Sequence, residues 1–381
     1  MFGCCEKGDG SNMPDYTSTF KQQRLPAWQP TLTPKSVIPL VVFLALAFIP
    51  LGIVLLIASR GVIEFQYDYT SCTSLESGSL CALLRHNQSL MNEPCTCSIN
   101  VTLEESFEGN VYFYYGLQGF YQNHRRYAKS RDDTQLFGTH KSATELNADC
   151  MPYRQITDNV TGNLIPIAPC GAIANSLFND TFEIFSGTDA VPVLRTGIAW
   201  PTDHAARFNN PTPTDDLITA FANYEKPFFW QSRVEELGDS GSPSNQAYKN
   251  EALIVWMRSA AFSNFRKLYG RLDRTVVRYR NGLPSGSYTI RINYNYPVSA
   301  FGGKKRFVIS TSSWMGRNKN DFLGIAYACV GLLCLVVALV FCIIHGQTRK
   351  QKLHSIHAQN SQEYKLARSK ASSRRSIQGS P

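Results

Sequence analysis

The sequence predicts a two-span integral membrane protein with a large β-rich ectodomain, antiparallel and sandwich-like, that carries helical insertions. Three observations carry this. Two 23-residue runs, 37–59 and 322–344, contain no charged residue and no histidine. The long segment between them alternates apolar and polar side chains in several places. The formal charge of +9 is unevenly spread along the 381 residues.

Residues 1–36 form an N-terminal segment with four basic and three acidic groups. The first span (VIPLVVFLALAFIPLGIVLLIAS, 37–59) follows. At 1.5 Å per residue such a run reaches about 34 Å as a helix, enough for a hydrocarbon core of about 30 Å. A cleaved signal peptide keeps its short apolar core near the start of the chain. The 36 residues ahead of this run favour an uncleaved signal anchor. Pro39 and Pro50 are tolerated in a membrane helix, where neighbouring groups satisfy the freed carbonyls.

Residues 60–321 are the ectodomain, with 26 basic and 25 acidic groups, and the second span covers 322–344 (FLGIAYACVGLLCLVVALVFCII). Residues 345–381 hold eight basic groups and one acidic group. Most of the positive excess, +7 of the +9, therefore belongs to the last 37 residues. Arg349, Lys350 and Lys352, close behind the second span, predict cytosolic termini and a lumenal or extracellular ectodomain. A nucleic-acid surface is not expected, because the ectodomain is nearly balanced. The 12% aromatic content excludes a wholly disordered chain, and the length excludes a small disulfide-stapled scaffold.

Two features agree with that topology. Glycosylation sequons occur at Asn87, Asn100, Asn159 and Asn179, all between the spans. Six cysteines, Cys72, Cys81, Cys95, Cys97, Cys150 and Cys170, lie in the same segment. In an oxidising compartment they read as three disulfides, with connectivity left open by spacing alone. A zinc site from Cys72, Cys81, Cys95 and Cys97 lacks paired knuckle spacing. Cys329, Cys334 and Cys342 fall within the second span as small apolar packers. Cys4 and Cys5 are candidates for palmitoylation or plain thiols, and Gly3 is one position too late for N-myristoylation.

Within the ectodomain, SYTIRINYNY (287–296) places Tyr288, Ile290, Ile292, Tyr294 and Tyr296 on one strand face. RFVISTS (306–312) and NVYFYY (110–115) are further strands, and Pro-Ser-Gly at 284–286 is a turn. A helix is predicted from an Asn250 cap and Glu251 through Leu253, Trp256, Ala260, Phe265 and Leu268. Arg266 and Lys267 suit its last turn and Gly270 its close. Residues 355–381, poor in apolar groups, are expected to be disordered.

No catalytic constellation emerges. Gly-Asp-Ser-Gly-Ser-Pro at 238–243 echoes a serine-protease nucleophile segment, but no suitable histidine context accompanies it, so a flexible loop is favoured. There is no H-E-x-x-H, G-x-S-x-G, P-loop or G-x-G-x-x-G motif. Asp132-Asp133, after Lys129 and Arg131, reads as an ion-paired surface loop rather than a cation site. Lys304-Lys305-Arg306 suits either lipid headgroups or a solvated turn. Lys365, Arg368, Lys370, Arg374 and Arg375 make the tail a candidate for anionic lipid, with Arg374-Arg375-Ser376 a candidate phosphosite that weakens it.

Motifs in order along the chain then carry a resemblance. They are FKQQRLPAWQP (20–30), FEGNV (107–111), FYQNHRRY (120–127), KSRDD (129–133), PIAPCGAIAN (166–175), GIAW (197–200), VWMR (255–258), NYNYPV (293–298), SWMG (313–316) and FLGIAY (322–327). The chain resembles the accessory (β) subunits of phospholipid flippases, the cell-division-control-protein-50 or transmembrane-protein-30 family. The resemblance implies a β-sandwich glycoprotein that pairs with the catalytic α subunit of a type IV P-type ATPase. It implies escort from the endoplasmic reticulum and a place in that compartment, the Golgi, secretory vesicles or the plasma membrane. ATP and the moving aminophospholipid would belong to the ATPase, with no cofactor in this chain. It suggests the bridges Cys72–Cys97, Cys81–Cys95 and Cys150–Cys170. Partner-contact candidates are Phe20, Arg24, Pro26 and Trp28, ahead of the first span, and Trp314. The alternative is a two-span ligand-gated channel subunit, against which the six cysteines and charge-free spans count.

Overall fold

A computed structural model describes residues 33–85, 94–160, 162–238, 242–314, 316 and 319–377, with side chains to residue 366. The chain divides into two compact units. One contains most of the two long helices and the other spans Leu55–Asp321.

Helix α1 covers Pro34–Arg60. The strands follow as β1 (Glu64–Asp68), β2 (Thr96–Leu103), β3 (Phe107–Glu108), β4 (Val111–Gln118), β5 (Gln155–Thr157), β6 (Leu164–Pro166) and β7 (Thr181–Ser186). Then come β8 (Asp189–Ala190), β9 (Val193–Leu194), β10 (Asn264–Leu272), β11 (Gly282–Leu283), β12 (Gly286–Asn293) and β13 (Lys304–Thr311). Between them lie short helices α2 (Cys81–Leu84), α3 (Arg125–Lys129), α4 (Asp133–Leu136), α5 (Ala172–Asn175), α6 (Pro201–Ala206), α7 (Leu217–Ala220) and α8 (Glu251–Met257). Helix α9 covers Asp321–Ile377.

A five-stranded sheet runs β1-β13-β4-β10-β9 and a four-stranded sheet runs β2-β12-β7-β8. All strand pairs are antiparallel. The inner faces meet in one apolar core. Phe113, Tyr115, Phe307 and Ile309 of the first sheet pack with Ile99, Ile184, Ile290 and Ile292 of the second. Phe182 of β7 bridges them, its ring 4.8 Å from that of Phe307 and 4.9 Å from that of Tyr269. Alternation explains β12 directly: Tyr288, Ile290 and Ile292 are buried while Ser287, Arg291 and Asn293 face solvent.

Two expectations are corrected. The helix predicted from Asn250 to Gly270 ends at Met257, and Asn264–Leu272 is strand β10, paired along β4 from Asn264↔Gln118 to Arg271↔Tyr112. Ladder pairing decided it: Phe265, Leu268 and Tyr269 satisfy a strand beside β4 as readily as a helical stripe. The predicted disorder from residue 355 is replaced by helix as far as Ile377. Between Gln347 and Ile377 there is no proline or glycine, and Gln, Lys, Leu, Ala and Arg favour helix.

The two apolar spans pack on each other through small residues. A Cβ placed on Gly52 would lie 2.6 Å from the backbone nitrogen of Ala328 and 2.9 Å from the carbonyl oxygen of Gly324. One on Gly331 would lie 2.9 Å from the Ile49 nitrogen. The Phe48 and Tyr327 rings meet edge to face at 5.6 Å. Such close approach suits a membrane, where helices associate by packing rather than by a hydrophobic drive. Phe43, Leu46, Leu333 and Leu339 are left exposed on the outer faces, as lipid or partner helices require.

Candidate functional site

The feature that most defines the ectodomain is a buried ion pair joining the sheets. Lys305, second residue of β13, and Asp180, just ahead of β7, are both fully buried, with Lys305 Nζ 2.6 Å from Asp180 Oδ2. Tyr69 donates its hydroxyl to the same oxygen at 2.9 Å. The backbone N–H groups of Asn295 and Tyr296 donate to Oδ1, each at 2.6 Å. Lys305 also donates to the Tyr296 carbonyl at 2.9 Å and lies 3.0 Å from the centre of the Tyr294 ring. Burial pulls the Lys305 ammonium down to about 8, while the Asp180 carboxylate acts in the opposite sense. Beside this site Arg85 donates from Nε to the Tyr294 carbonyl at 2.8 Å.

A second polar knot holds the helical insertion against β10, with Leu253, Ile254, Trp256 and Met257 of α8 in the main core. The Asn250 side chain caps α8 by accepting from the Leu253 N–H. Glu251, buried in the first turn, accepts the N–H groups of Gly197, Ile198 and Ala199 at 2.6–2.8 Å. Ile198 is thereby set against Tyr114, Leu268 and Val308. The far end of α8 is closed from β10: Lys267 Nζ donates to the carbonyls of Val255, Trp256 and Arg258 at 2.6–3.0 Å. Its burial and the nearby Arg258 guanidinium pull its pKa down to about 7. Lys267 thus serves the helix C-terminus, as predicted, but from the following strand.

Asp132 is buried and saturated rather than a surface charge. It accepts from Lys141 Nζ (2.9 Å), Thr134 Oγ1 (2.6 Å) and the N–H groups of Gln135 and Asn147, both 2.9 Å. Those contacts outweigh burial and hold its carboxyl at about 2. Asp133 pairs with Arg131 at 2.9 Å. A cleft of about 570 Å³ beside them is lined by Arg131, Asp133, Asp203, Arg207 and Arg258, with Asp203 shared by the last two arginines. These carboxylates are engaged by guanidinium groups, and among the described residues no histidine lines the cleft.

The cysteines are bonded as Cys72–Cys97, Cys81–Cys95 and Cys150–Cys170, with Cα separations of 6.1, 5.9 and 5.7 Å. The sulfurs of Cys72, Cys81 and Cys97 lie within 4.8 Å of one another. As disulfide sulfurs they carry no thiolate, the form in which cysteine binds zinc. Asn100 is exposed on β2 and Asn159 on the β5–β6 turn, while Asn179 is half-buried next to Asp180. Trp314 is 74% exposed on a turn closed by the Ser313–Gly316 bridge, just after β13. Asn87, Phe20, Arg24, Pro26, Trp28, Cys4 and Cys5 lie outside the described residues, as does most of the Gly-Asp-Ser-Gly loop.

Sequence reasoning missed the Asp180–Lys305 pair and misplaced its lysine. Lys305 touches neither lipid nor solvent, because Lys304-Lys305-Arg306 opens β13 with Lys305 turned inward. The available signal was the strand pattern: Lys305, Phe307 and Ile309 share one parity, and the last two are core residues.

The comparisons with known proteins agree with this architecture. The model of the LEM3 (ligand-effect modulator 3) family / CDC50 family matches residues 55–351. The chain belongs to the LEM3/CDC50 family. It is 46% identical to cell cycle control protein 50A of Bos taurus over 341 residues, which are 88% of this chain and 90% of that protein. It is 44% identical to cell cycle control protein 50B of Homo sapiens over 349 residues, 90% and 96% of the two chains. Cell cycle control protein 50C of Bos taurus shares 40% over 347 residues, again 90% and 96%. Its LEM3/CDC50 core thus includes the sandwich, the bonded cysteines and the second span.

Proposed function

We propose that this LEM3/CDC50 protein is the non-catalytic accessory subunit of a phospholipid flippase. It pairs with the catalytic subunit of a type IV P-type ATPase, supports its assembly and exit from the endoplasmic reticulum, and is needed for aminophospholipid movement to the cytosolic leaflet. The observation that carries this is the family match across the whole sandwich and into the second span. The described polar groups fit a binding role. Asp180, Lys305, Glu251, Lys267 and Asp132 are each committed to structural contacts, leaving a rigid module on two apolar helices. The positive-inside pattern supports cytosolic termini, with the sequons at Asn87, Asn100, Asn159 and Asn179 in the secretory lumen. The segment 20–30, with Phe20, Arg24, Pro26 and Trp28, grips the cytosolic membrane face, and the basic tail meets anionic lipid there.

The test is co-purification of the tagged full-length chain from cells expressing a P-type ATPase, joined to a lipid-uptake assay. Recovery of an ATPase of roughly a hundred kilodaltons, and loss of uptake when residues 20–30 are deleted, are the expected results. Failure to recover any ATPase, with normal surface lipid asymmetry in cells lacking the chain, would overturn the proposal.

A further inference from the structure

One loop of the sandwich is built as a rigid platform and presents two bare valines. It joins β10 to β11, from Asp273 to Asn281. Asp273 Oδ1 accepts from the Thr275 N–H and hydroxyl. Arg274 clamps the loop's far side, donating to the Arg280 carbonyl at 2.9 Å and to Asn110 Oδ1 at 2.8 Å. Arg278 ties it to the β7–β8 hairpin through Asp189 at 3.0 Å and Ser186 at 2.9 Å. Tyr279 is buried beneath it. What remains outside is Val276, 41% exposed, Val277, 78% exposed, and the exposed Arg280. Six side-chain hydrogen bonds thus order a loop that presents two adjacent valines outward.

The strand register says where this platform lies. One row across the five-stranded sheet reads Glu64↔Ser310, Ser310↔Tyr112, Tyr112↔Arg271. From Glu64 the chain is four residues from Arg60, the end of α1, and from Ser310 it is eleven residues from Asp321, the start of α9. Those two helix ends are fastened together: Ser59 Oγ donates to Asp321 Oδ1 at 2.6 Å and accepts from the Asn320 N–H at 2.9 Å. The 273–281 loop leaves β10 one residue after Arg271, from that same end of the sheet. The opposite end is the row Lys304↔Gln118, Gln118↔Asn264, which carries the loop holding Phe262.

The geometry points to a lipid-docking surface: Val276 and Val277 enter the headgroup layer of the extracytosolic leaflet, with Arg280 facing lipid phosphates. Valine methyls gain by leaving water there, and an arginine at that depth pairs with phosphate oxygens. The inference rests on α1 and α9 crossing a bilayer and is independent of the flippase reading.

The test uses the full-length chain in nanodiscs of phosphatidylcholine, with and without brominated acyl chains. Val277→Trp and, as a second probe, Val276→Trp are compared with wild type by difference emission, and Phe262→Trp serves at the opposite end. The expected result is loss of the added emission in brominated lipid for the two loop probes and none for Phe262→Trp. Equal emission in both lipids for both loop probes overturns the proposal. Quenching that vanishes when a catalytic subunit is bound assigns the face to that protein and likewise overturns it.

Discussion

Removing one member of the Asp180–Lys305 pair should be among the most damaging single changes in the ectodomain. Asp180→Asn leaves the Lys305 ammonium fully buried beside the Tyr296 carbonyl and the Tyr294 and Tyr69 rings, with no carboxylate to balance its charge. Breaking a buried pair in this way costs about 3–5 kcal/mol. For an ectodomain of this size each kcal/mol moves the midpoint by about 2–4 °C, so thermal melts of the purified full chain should fall by roughly 6 to 20 °C. The deficit should also depend on pH. The ordinary lysine pKa is 10.5, and Lys305 stands at about 8 with its carboxylate partner present. Without it the folded value drops further, while the unfolded value stays. Between the two, the unfolded chain holds a proton that the folded chain has released. Stability therefore rises with pH across that window, and the Asn variant should regain part of its loss as pH rises towards about 8, above which the wild type gains in parallel. Lys305→Met should also destabilise, by less, because Asp180 keeps three other donors. The double variant should recover at least about 1 kcal/mol relative to the sum of the single losses. Single losses under about 1 kcal/mol, or full additivity in the double variant, would refute the argument that the two charges are held by each other.

Two further outcomes are expected. Asp132→Asn should lose about 2 kcal/mol at neutral pH, from a carboxyl at about 2 against an ordinary 3.8. In wild type that contribution is full above the unfolded value and disappears as pH falls through about 2, so the variant and wild-type melting curves should converge in acid. Gly52→Leu should separate the spans, since even a Cβ there meets the Ala328 backbone at 2.6 Å. A loss of about 1–3 kcal/mol, seen as a lower midpoint in detergent, is the overpacking cost expected; an unchanged midpoint would place the contact elsewhere.

Several parts of the molecule were open to reading in one dimension because their physics is local. A bilayer demands about twenty consecutive apolar residues, so both spans stand out in the chain. A half-buried strand demands alternation, so β12 and its inward Tyr288, Ile290 and Ile292 were visible as well. The Asn250 cap and first turn of α8 needed only four adjacent residues. The family resemblance added order to these signals, since its motifs recur from before the first span into the second.

What the tertiary structure alone decided depends on partners far away in sequence. Residues 264–272 became a strand because β4 offers a ladder some 150 positions earlier, which no local propensity records. Lys305 looked like surface charge because a lysine's burial is set by its counterion, and Asp180 lies 125 residues away inside a sequon. The same holds for the Val276–Val277 loop: its composition is ordinary, and only the strand register places it at the end of the sheet that leads into both spans. Local chemistry selects elements, and long-range pairing selects which of their faces are buried, joined or left to meet a membrane.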